Sequence, residues 1–375
     1  QNMGLSNIEV KRMNRNNILR YMLANGSNAK NTIAAALDLS IPTVAQCLKE
    51  LQEQGLVEEE GTMKSIGGRK AMAFRAIPDA KIAVGVDITR NHANIVVTDL
   101  AMNVIHFSRK KIRMYDEAAS YEQLKFLIHE VISESGVDQS RILGMGISLP
   151  AIIDETGTRI YSMHEQMEIS YQLYDIVKDW FPFPVSLGND ADSAGRAEML
   201  VRGVRDNRLF FFVSPSVGGS VFVNGETFYG HNRRAGEFGH MILVPGGRKC
   251  YCGRTGCVNS YCSTENLSDL TDGDLGAFFE RLKNKDEVCL KIWNEYLDYL
   301  ALAIHNLMTS FDMDMVISGY LGQYLEDYME DLKMRVRKFD SYLTGSDFVQ
   351  PARLKYEASA LGAANIFLER YISEV

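Results

Sequence analysis

The spacing of apolar residues changes character near Pro78. Before it the period is helical. Ile18, Leu19, Met22 and Leu23 lie about one turn apart, and the run stops at Asn25-Gly26. Ser27 or Asn28 can cap a second, short helix with Ile33, Ala34 and Leu37 inward. Asp38-Leu39-Ser40 then turns the chain, with Ser40 as N-cap and Pro42 tolerated in the first turn of a third helix. On that helix Ile41, Val44, Ala45, Leu48 and Leu51 form the buried stripe, Thr43, Gln46 and Lys49 point outward, and Gly55 ends it. Residues 56–60 and 72–76 read as two strands, joined by a loop carrying Lys64, Arg69 and Lys70.

Two helices joined by a tight turn, the second with small and polar outward residues near its start, form the geometry that reads a major groove. With the basic hairpin behind it, residues 1–77 are expected to be a winged helix-turn-helix. Thr43, Gln46 and Lys49 would face the bases of double-stranded DNA, and Arg69 and Lys70 the phosphates or minor groove. The alternative is a helical packing module whose outward residues are merely solvated; the acidic run Glu58-Glu59-Glu60 would repel DNA if it pointed there.

After Pro78 strand and helix signals alternate. Strands are expected at 82–87, 93–98, 104–110, 142–148, 185–187, 209–213, 218–223 and 315–318, and helices at 121–134, 287–309 and 323–338. Such an α/β body, residues 78–375, is long enough for two lobes with a cleft between them.

His240-x9-Cys250-Tyr251-Cys252-x4-Cys257 places three thiols and an imidazole within eighteen residues. That donor set suits a tetrahedral structural Zn²⁺, with glycines between the ligands where the backbone must turn. A closed four-ligand site does no chemistry itself, so function lies in what its loop carries. Ordinary reduced cysteines beside a core histidine are the alternative.

The chain has 375 residues, 46% of them hydrophobic and 23% charged, an ordinary globular composition. Its six cysteines suit a reducing cytoplasm better than a disulfide scaffold, and neither a membrane-spanning run nor a signal-peptide core is visible. The net charge of −8 is uneven: residues 1–80 hold ten Lys and Arg against eight Asp and Glu, a surplus of two, which leaves −10 on the remainder. A mildly basic segment on an acidic body fits a nucleic-acid reader joined to another module.

Gly85-Val86-Asp87-Ile88, Gly188-Asn189-Asp190-Ala191-Asp192, Val217-Gly218-Gly219, Ala235-Gly236-Glu237-Phe238-Gly239-His240, the cysteine stretch and Ala360-Leu361-Gly362-Ala363-Ala364 come in a telling order. In that order the chain resembles the ROK family (repressors, open reading frames and sugar kinases) over essentially its whole length. The resemblance implies a two-lobed, ribonuclease-H-like body of the actin/hexokinase type, lobe 1 about 78–190 plus 356–375 and lobe 2 about 191–355. It also implies a sugar site in which Asp190 matches the kinases' general base. Asn189, Glu237 and His240 match residues that hydrogen-bond other sugar hydroxyls, with the histidine also on the zinc.

The sequence departs from the kinases on the nucleotide side. Where they have Asp-Ile-Gly-Gly-Thr-Lys this chain has Asp87-Ile88-Thr89-Arg90-Asn91-His92, their Gly-Thr-Gly is Ser214-Pro215-Ser216, and their Gly-Gly-Gly is Ser318-Gly319-Tyr320. Side chains replace bare backbone at the phosphates and Pro215 has no N–H to donate, so ATP is not expected in the family's mode, although Arg90 could attract a phosphate. The sugar side changes less: the family's glutamate is Asn259, and its Pro-Gly is Pro150-Ala151.

The leading expectation is therefore a dimeric, cytoplasmic transcriptional regulator, a repressor of carbohydrate genes, that senses a sugar or sugar derivative, with Asp190 a vestigial base. The alternatives are an ATP-dependent sugar kinase with an accessory DNA-binding module, and a regulator whose body docks another protein and binds no sugar.

Overall fold

The computed structural model describes residues 6–63, 71–165, 167–339 and 345–375; Arg69 and Lys70 lie outside them. Helix α1, Asn7–Asn25, begins at a reciprocal cap between Ser6 and Glu9 that the sequence reading missed, and Gly26 at φ 67° ends it. Asn28–Ala29 (β1) pairs with a later strand instead of capping a helix, so α2, Lys30–Leu37, starts without a side-chain cap. Asp38, at φ 53°, turns the chain into α3, Ile41–Glu53, where the Ser40 hydroxyl accepts from the Thr43 N–H as expected. Val44, Cys47, Leu48 and Leu51 make the buried stripe, whereas Ile41, in the first turn, is exposed. Strands β2, Val57–Met63, and β3, Ala71–Ala76, close a three-stranded sheet in the order β1-β3-β2.

The remaining chain builds one sheet plan twice. Strands β4 (Ile82–Ile88), β5 (His92–Asp99) and β6 (Val104–Lys111) form an antiparallel meander. Helix α4 (Ala118–Glu134) leads to β7 (Ile142–Leu149), which lies parallel to β4, and a small hairpin, β8 (Ala151–Ile153) and β9 (Ile160–Met163), follows. Helix α5 (Leu173–Val177) leads to β10 (Val185–Asn189), parallel to β7, so the order is β10-β7-β4-β5-β6. Helix α6, Asp190–Arg202, crosses to β11 (Arg208–Val213), β12 (Val217–Val223) and β13 (Glu226–Thr227). After the cysteine loop come α7 (Asn259–Cys262), α8 (Glu265–Ser268), α9 (Leu275–Lys283) and α10 (Glu287–Phe311), then β14 (Asp314–Ser318). The segment expected as one helix over 323–338 is instead two 3-10 turns before α11, Met329–Arg337. With β15 (Val349–Pro351) the second sheet is ordered β13-β12-β11-β14-β15, the same arrangement as the first. Central β4 and β11 are buried along their whole length, and apart from Asp87 and Arg208 their side chains are apolar.

The last helix, α12 (Ala358–Glu374), ties these parts together. Its backbone lies so close to β4 that a Cβ on Gly85 would stand 1.8 Å from the Ala360 carbonyl oxygen, and so close to α6 that one on Gly362 would stand 1.7 Å from that of Ser193. Further along, Phe367, Leu368, Ile372 and Val375 share one apolar core with Ile18, Leu19 and Met22 of α1. The N-terminal three-helix unit and the body are thus continuous through α12. No helix among the described residues is long and apolar enough to cross a membrane.

Candidate functional site

Between the two sheets lies a cleft of two cavities, about 620 and 590 Å³, that meet at Asp190. Strand β10 delivers Asn189 and Asp190 to the cleft at the start of α6. Asn189 caps the helix, its Oδ1 accepting from the Asp192 N–H at 2.9 Å while its amide donates to the Ala151 carbonyl at 3.1 Å. Both polar ends of Asn189 are therefore committed to holding the site's shape. Asp190 keeps a carboxyl in the cleft, with Oδ1 accepting only its neighbour's N–H, from Ala191, at 2.9 Å. Burial raises the Asp190 carboxyl to about 8, with the negative charge of Asp87 adding to the effect. Asp87 is itself lifted by burial to about 6, against hydrogen bonds from Asn94 and Ser148.

Glu237 and His240 come from the turn between β13 and the cysteine loop. His240 Nε2 stands 3.9 Å from a Glu237 carboxylate oxygen and 3.1 Å from the Tyr251 hydroxyl, while Tyr251 lays its ring on His164 with centroids 3.9 Å apart. Tyr251 and His164 both line the larger cavity, and the sequence reading assigned neither of them. Tyr251 could have been noticed as the bulky residue inside Cys-x-Cys; nothing local marks His164. Asn259 turns the other way. Its Oδ1 accepts from the Val217 N–H at 2.8 Å, the residue is 7% exposed, and it lines neither cavity, so here it shapes the loop before β12 rather than facing a sugar.

His240, Cys250, Cys252 and Cys257 come together with all four potential ligand atoms within 4.8 Å of one another. The Cys252 and Cys257 sulfurs are 3.7 Å apart, close to the separation of about 3.8 Å that Zn–S bonds of about 2.3 Å impose in a tetrahedron. Nδ1 of His240 is buried without a hydrogen-bond partner, as a metal-ligating nitrogen would be. The donor set and its spacing fit a closed structural metal site.

The smaller cavity holds the residues that depart from the kinase pattern. The Tyr320 hydroxyl accepts from the Asn94 amide at 3.2 Å, and the tyrosine's ring packs edge-on to Tyr356, with the Arg109 guanidinium 3.7 Å from the Tyr356 centroid. Ser214 accepts the Tyr320 N–H at 3.0 Å, and the Pro215 carbonyl accepts from the Ser263 hydroxyl at 2.9 Å. Arg90 faces Glu265 at 3.6 Å. These contacts line the smaller cavity with packed side chains of Tyr320, Tyr356, Arg109 and Ser214.

On α3, Gln46 and Lys49 are exposed, whereas Thr43 is half-buried and its hydroxyl bonds Ser40 Oγ at 2.8 Å. The Gln46 amide donates to Glu50 at 2.8 Å, and Glu50 is held in turn by Arg15. Arg75 pairs with Glu58 and Glu60, so two of the three acids that would oppose DNA already have a cationic partner.

The chain belongs to the ROK family, which it matches over residues 83–370, and its residues 14–58 match a winged helix-turn-helix DNA-binding domain. Among its relatives is the xylose repressor of Bacillus subtilis, 23% identical over 98% of this chain and 97% of that one. A ROK family transcriptional regulator described as a homologue of the Escherichia coli MLC protein shares the fold with a TM-score of 0.74 at 18% identity, covering 98% of this chain and all of that chain. The ROK hexokinase of Thermus thermophilus shares it with a TM-score of 0.60 at 24% identity, covering 78% of this chain and all of the hexokinase.

Proposed function

We propose that the protein is a cytoplasmic DNA-binding transcriptional regulator, a repressor of carbohydrate uptake or catabolism genes, that senses a sugar or sugar derivative in its cleft. The observation that carries this reading is the position of α12. Ile366 and Arg370 of that helix line the larger cavity, while its opposite face shares a core with α1. A ligand in the cavity touches the element on which the DNA-reading residues are mounted. Residues 1–77 then act as the reading head and residues 78–375 as the sensing body of a homodimer, in which movement of α12 alters the spacing of two α3 helices on an operator. Zn²⁺ held by His240, Cys250, Cys252 and Cys257 is a structural ion that fixes the loop behind Glu237. Asp190 is a remnant of a phosphotransferase site. With Tyr320 packed on the nucleotide side there is no aligned phosphoryl donor, and phosphoryl transfer depends almost entirely on positioning.

The test is selection of bound duplexes from a random library by the full chain, followed by titration of the enriched site with a sugar panel. A two-half-site sequence whose affinity changes with one sugar is the expected result. Absence of enrichment overturns the reading. Sugar-dependent ADP release that is lost in Asp190→Asn would establish the kinase alternative.

A further inference from the structure

The larger cavity extends beyond the sugar-facing residues, and its far end carries cations that the family pattern does not account for. Arg196 of α6 donates to the Tyr229 hydroxyl at 3.3 Å, and Arg233 stacks on the same ring with its guanidinium 3.9 Å from the centroid. The two guanidiniums are thereby gathered around one tyrosine. Arg233 is also pinned by its Nε donating to the Ile153 carbonyl at 2.6 Å, and its backbone sits at φ 54°, in the left-handed region that non-glycine residues rarely occupy. Among the described residues neither arginine forms an ion pair with a carboxylate. Each uses one of its five N–H donors in these bonds, so most of the two forks remains open to the cavity.

We infer that Arg196 and Arg233 form a subsite for a negatively charged substituent, phosphoryl or carboxylate, on the sugar derivative that occupies this cavity. The inference rests on the sugar-sensing reading and deepens it. A planar guanidinium can bind either oxyanion through two parallel hydrogen bonds, and two of them around one ring supply both charge and direction. The acids nearby do not already fill that role. Asp154 accepts from the Thr156 hydroxyl and from the N–H groups of Thr158 and Arg159. Asp192 stands beside the pair and is attracted by both guanidiniums, but burial outweighs that attraction and lifts its carboxyl to about 7, so one carboxyl faces two fixed positive charges. The cavity's volume, about 620 Å³, leaves room for a ligand larger than one unsubstituted ring. Arg370 of α12 lines the same cavity, which brings the charged end of the ligand near the helix that carries the DNA-reading head.

The experiment is calorimetry on the full chain with matched neutral, carboxylated and phosphorylated forms of a hexose, a pentose and an N-acetylhexosamine, and with inorganic phosphate alone. Wild type is compared with Arg196→Gln and Arg233→Gln, each checked for an unchanged melting profile. At least one charged form should bind roughly tenfold or more tightly than its neutral parent, and that ratio should collapse towards one in both variants. The form that wins distinguishes phosphoryl from carboxylate. If neutral sugars bind at least as well as charged ones in the wild type, the subsite is wrong and the sugar-sensing reading stands. If phosphate alone binds in an Arg233-dependent way and no sugar does, the subsite stands and sugar sensing falls. If nothing binds, both are overturned.

Discussion

The Tyr251 hydroxyl lies 3.1 Å from Nε2 of His240, whose other ring nitrogen is buried without a hydrogen-bond partner. One imidazole thus belongs both to the His-Cys cluster and to the lining of the larger cavity, and a tyrosine hydroxyl bonds its Nε2. Tyr251 also supplies an aromatic ring set against His164, the two planes inclined at 46°. Tyr251→Phe should leave the metal content unchanged, because none of the four ligands is replaced. It should alter which sugars stabilise the protein, since Nε2 of His240 becomes available to the ligand. Tyr251→Ala removes the ring as well and should weaken every cavity ligand by about 1–3 kcal/mol. Metal analysis beside thermal melts with a sugar panel separates the two effects.

The cluster itself should hold one Zn²⁺ per chain. Cys252→Ser should reduce it to well under one equivalent and lower the melting temperature, because ligand thiolates that are brought together only by folding return their binding energy as stability. Glu237 precedes His240 by three residues, so cavity ligands should be lost together with the metal. Elemental analysis and calorimetry on the same preparation check both. Full metal content in Cys252→Ser would remove that residue from the ligand set.

Local pattern made much of this legible. Ser40 and Pro42 announced the start of α3, and the mainly apolar stretches 82–87 and 209–213 announced β4 and β11, because caps and buried strands are written in adjacent residues. The cysteine spacing announced the gathering of His240 and the three cysteines for the same reason. Residues whose roles depend on distant partners were not readable. Asn259 lies next in sequence to the loop that the sugar site needs, yet its amide is claimed by Val217, forty-two positions away. His164 becomes part of the cavity only because the β8–β9 hairpin folds over towards Tyr251. Asn28 looked like a cap but pairs across to Phe74. The subsite arginines lie on two separate elements that meet at Tyr229, and no spacing connects them.

Asp190 should make stability depend on pH. Its carboxyl is raised in the fold to about 8 from an ordinary value near 3.8, so the folded chain holds a proton that the unfolded chain releases. The resulting stability is present below the unfolded value and is lost as pH rises through the folded one. Asp190→Asn keeps the shape and removes the charge, so its melting temperature should exceed that of wild type by a margin that grows from about pH 5 to about pH 8, reaching a few degrees, or about 1–2 kcal/mol. Asp87 and Asp192 shift in the same direction, so some slope should remain in the variant. A margin that does not change with pH would contradict the buried-carboxyl account.

Operator reading should rest on Gln46 and Lys49, the two exposed residues among the three outward positions of α3. Gln46 is held out by Glu50, itself fixed by Arg15, so its amide is positioned before DNA arrives. Gln46→Ala should cost about 1–3 kcal/mol on the selected site and relax preference at one or two base pairs, whereas Lys49→Ala should weaken all duplexes and flatten the salt dependence. Thr43→Ala should act mainly through the helix cap, lowering stability more than specificity, because its hydroxyl is bonded to Ser40. Gel-shift titrations on the selected site and on single-base variants of it measure each effect.

Coupling between cavity and head should depend on the α1–α12 contact. Arg20 pairs with Glu369 at 2.7 Å, and the Asn16 amide donates to the Ser373 carbonyl at 3.0 Å, beside the shared core of Leu19, Met22, Phe367 and Leu368. Deleting the head would uncover that apolar face of α12, so truncation is a poor test of how signals pass. Reversing one charge is milder. A partly exposed ion pair contributes only about 0–1 kcal/mol to folding, so Arg20→Glu should fold and bind DNA. What it should lose is the response: the ratio of DNA affinities with and without the cavity ligand should fall by about threefold to tenfold, as the head settles independently of α12. Glu369→Arg alone should do the same, and the double reversal, which restores an attractive pair, should recover most of the ratio. DNA titrations of the four proteins at saturating and zero ligand give the cycle. Additive losses in the double variant would mean that the signal reaches α3 by another route.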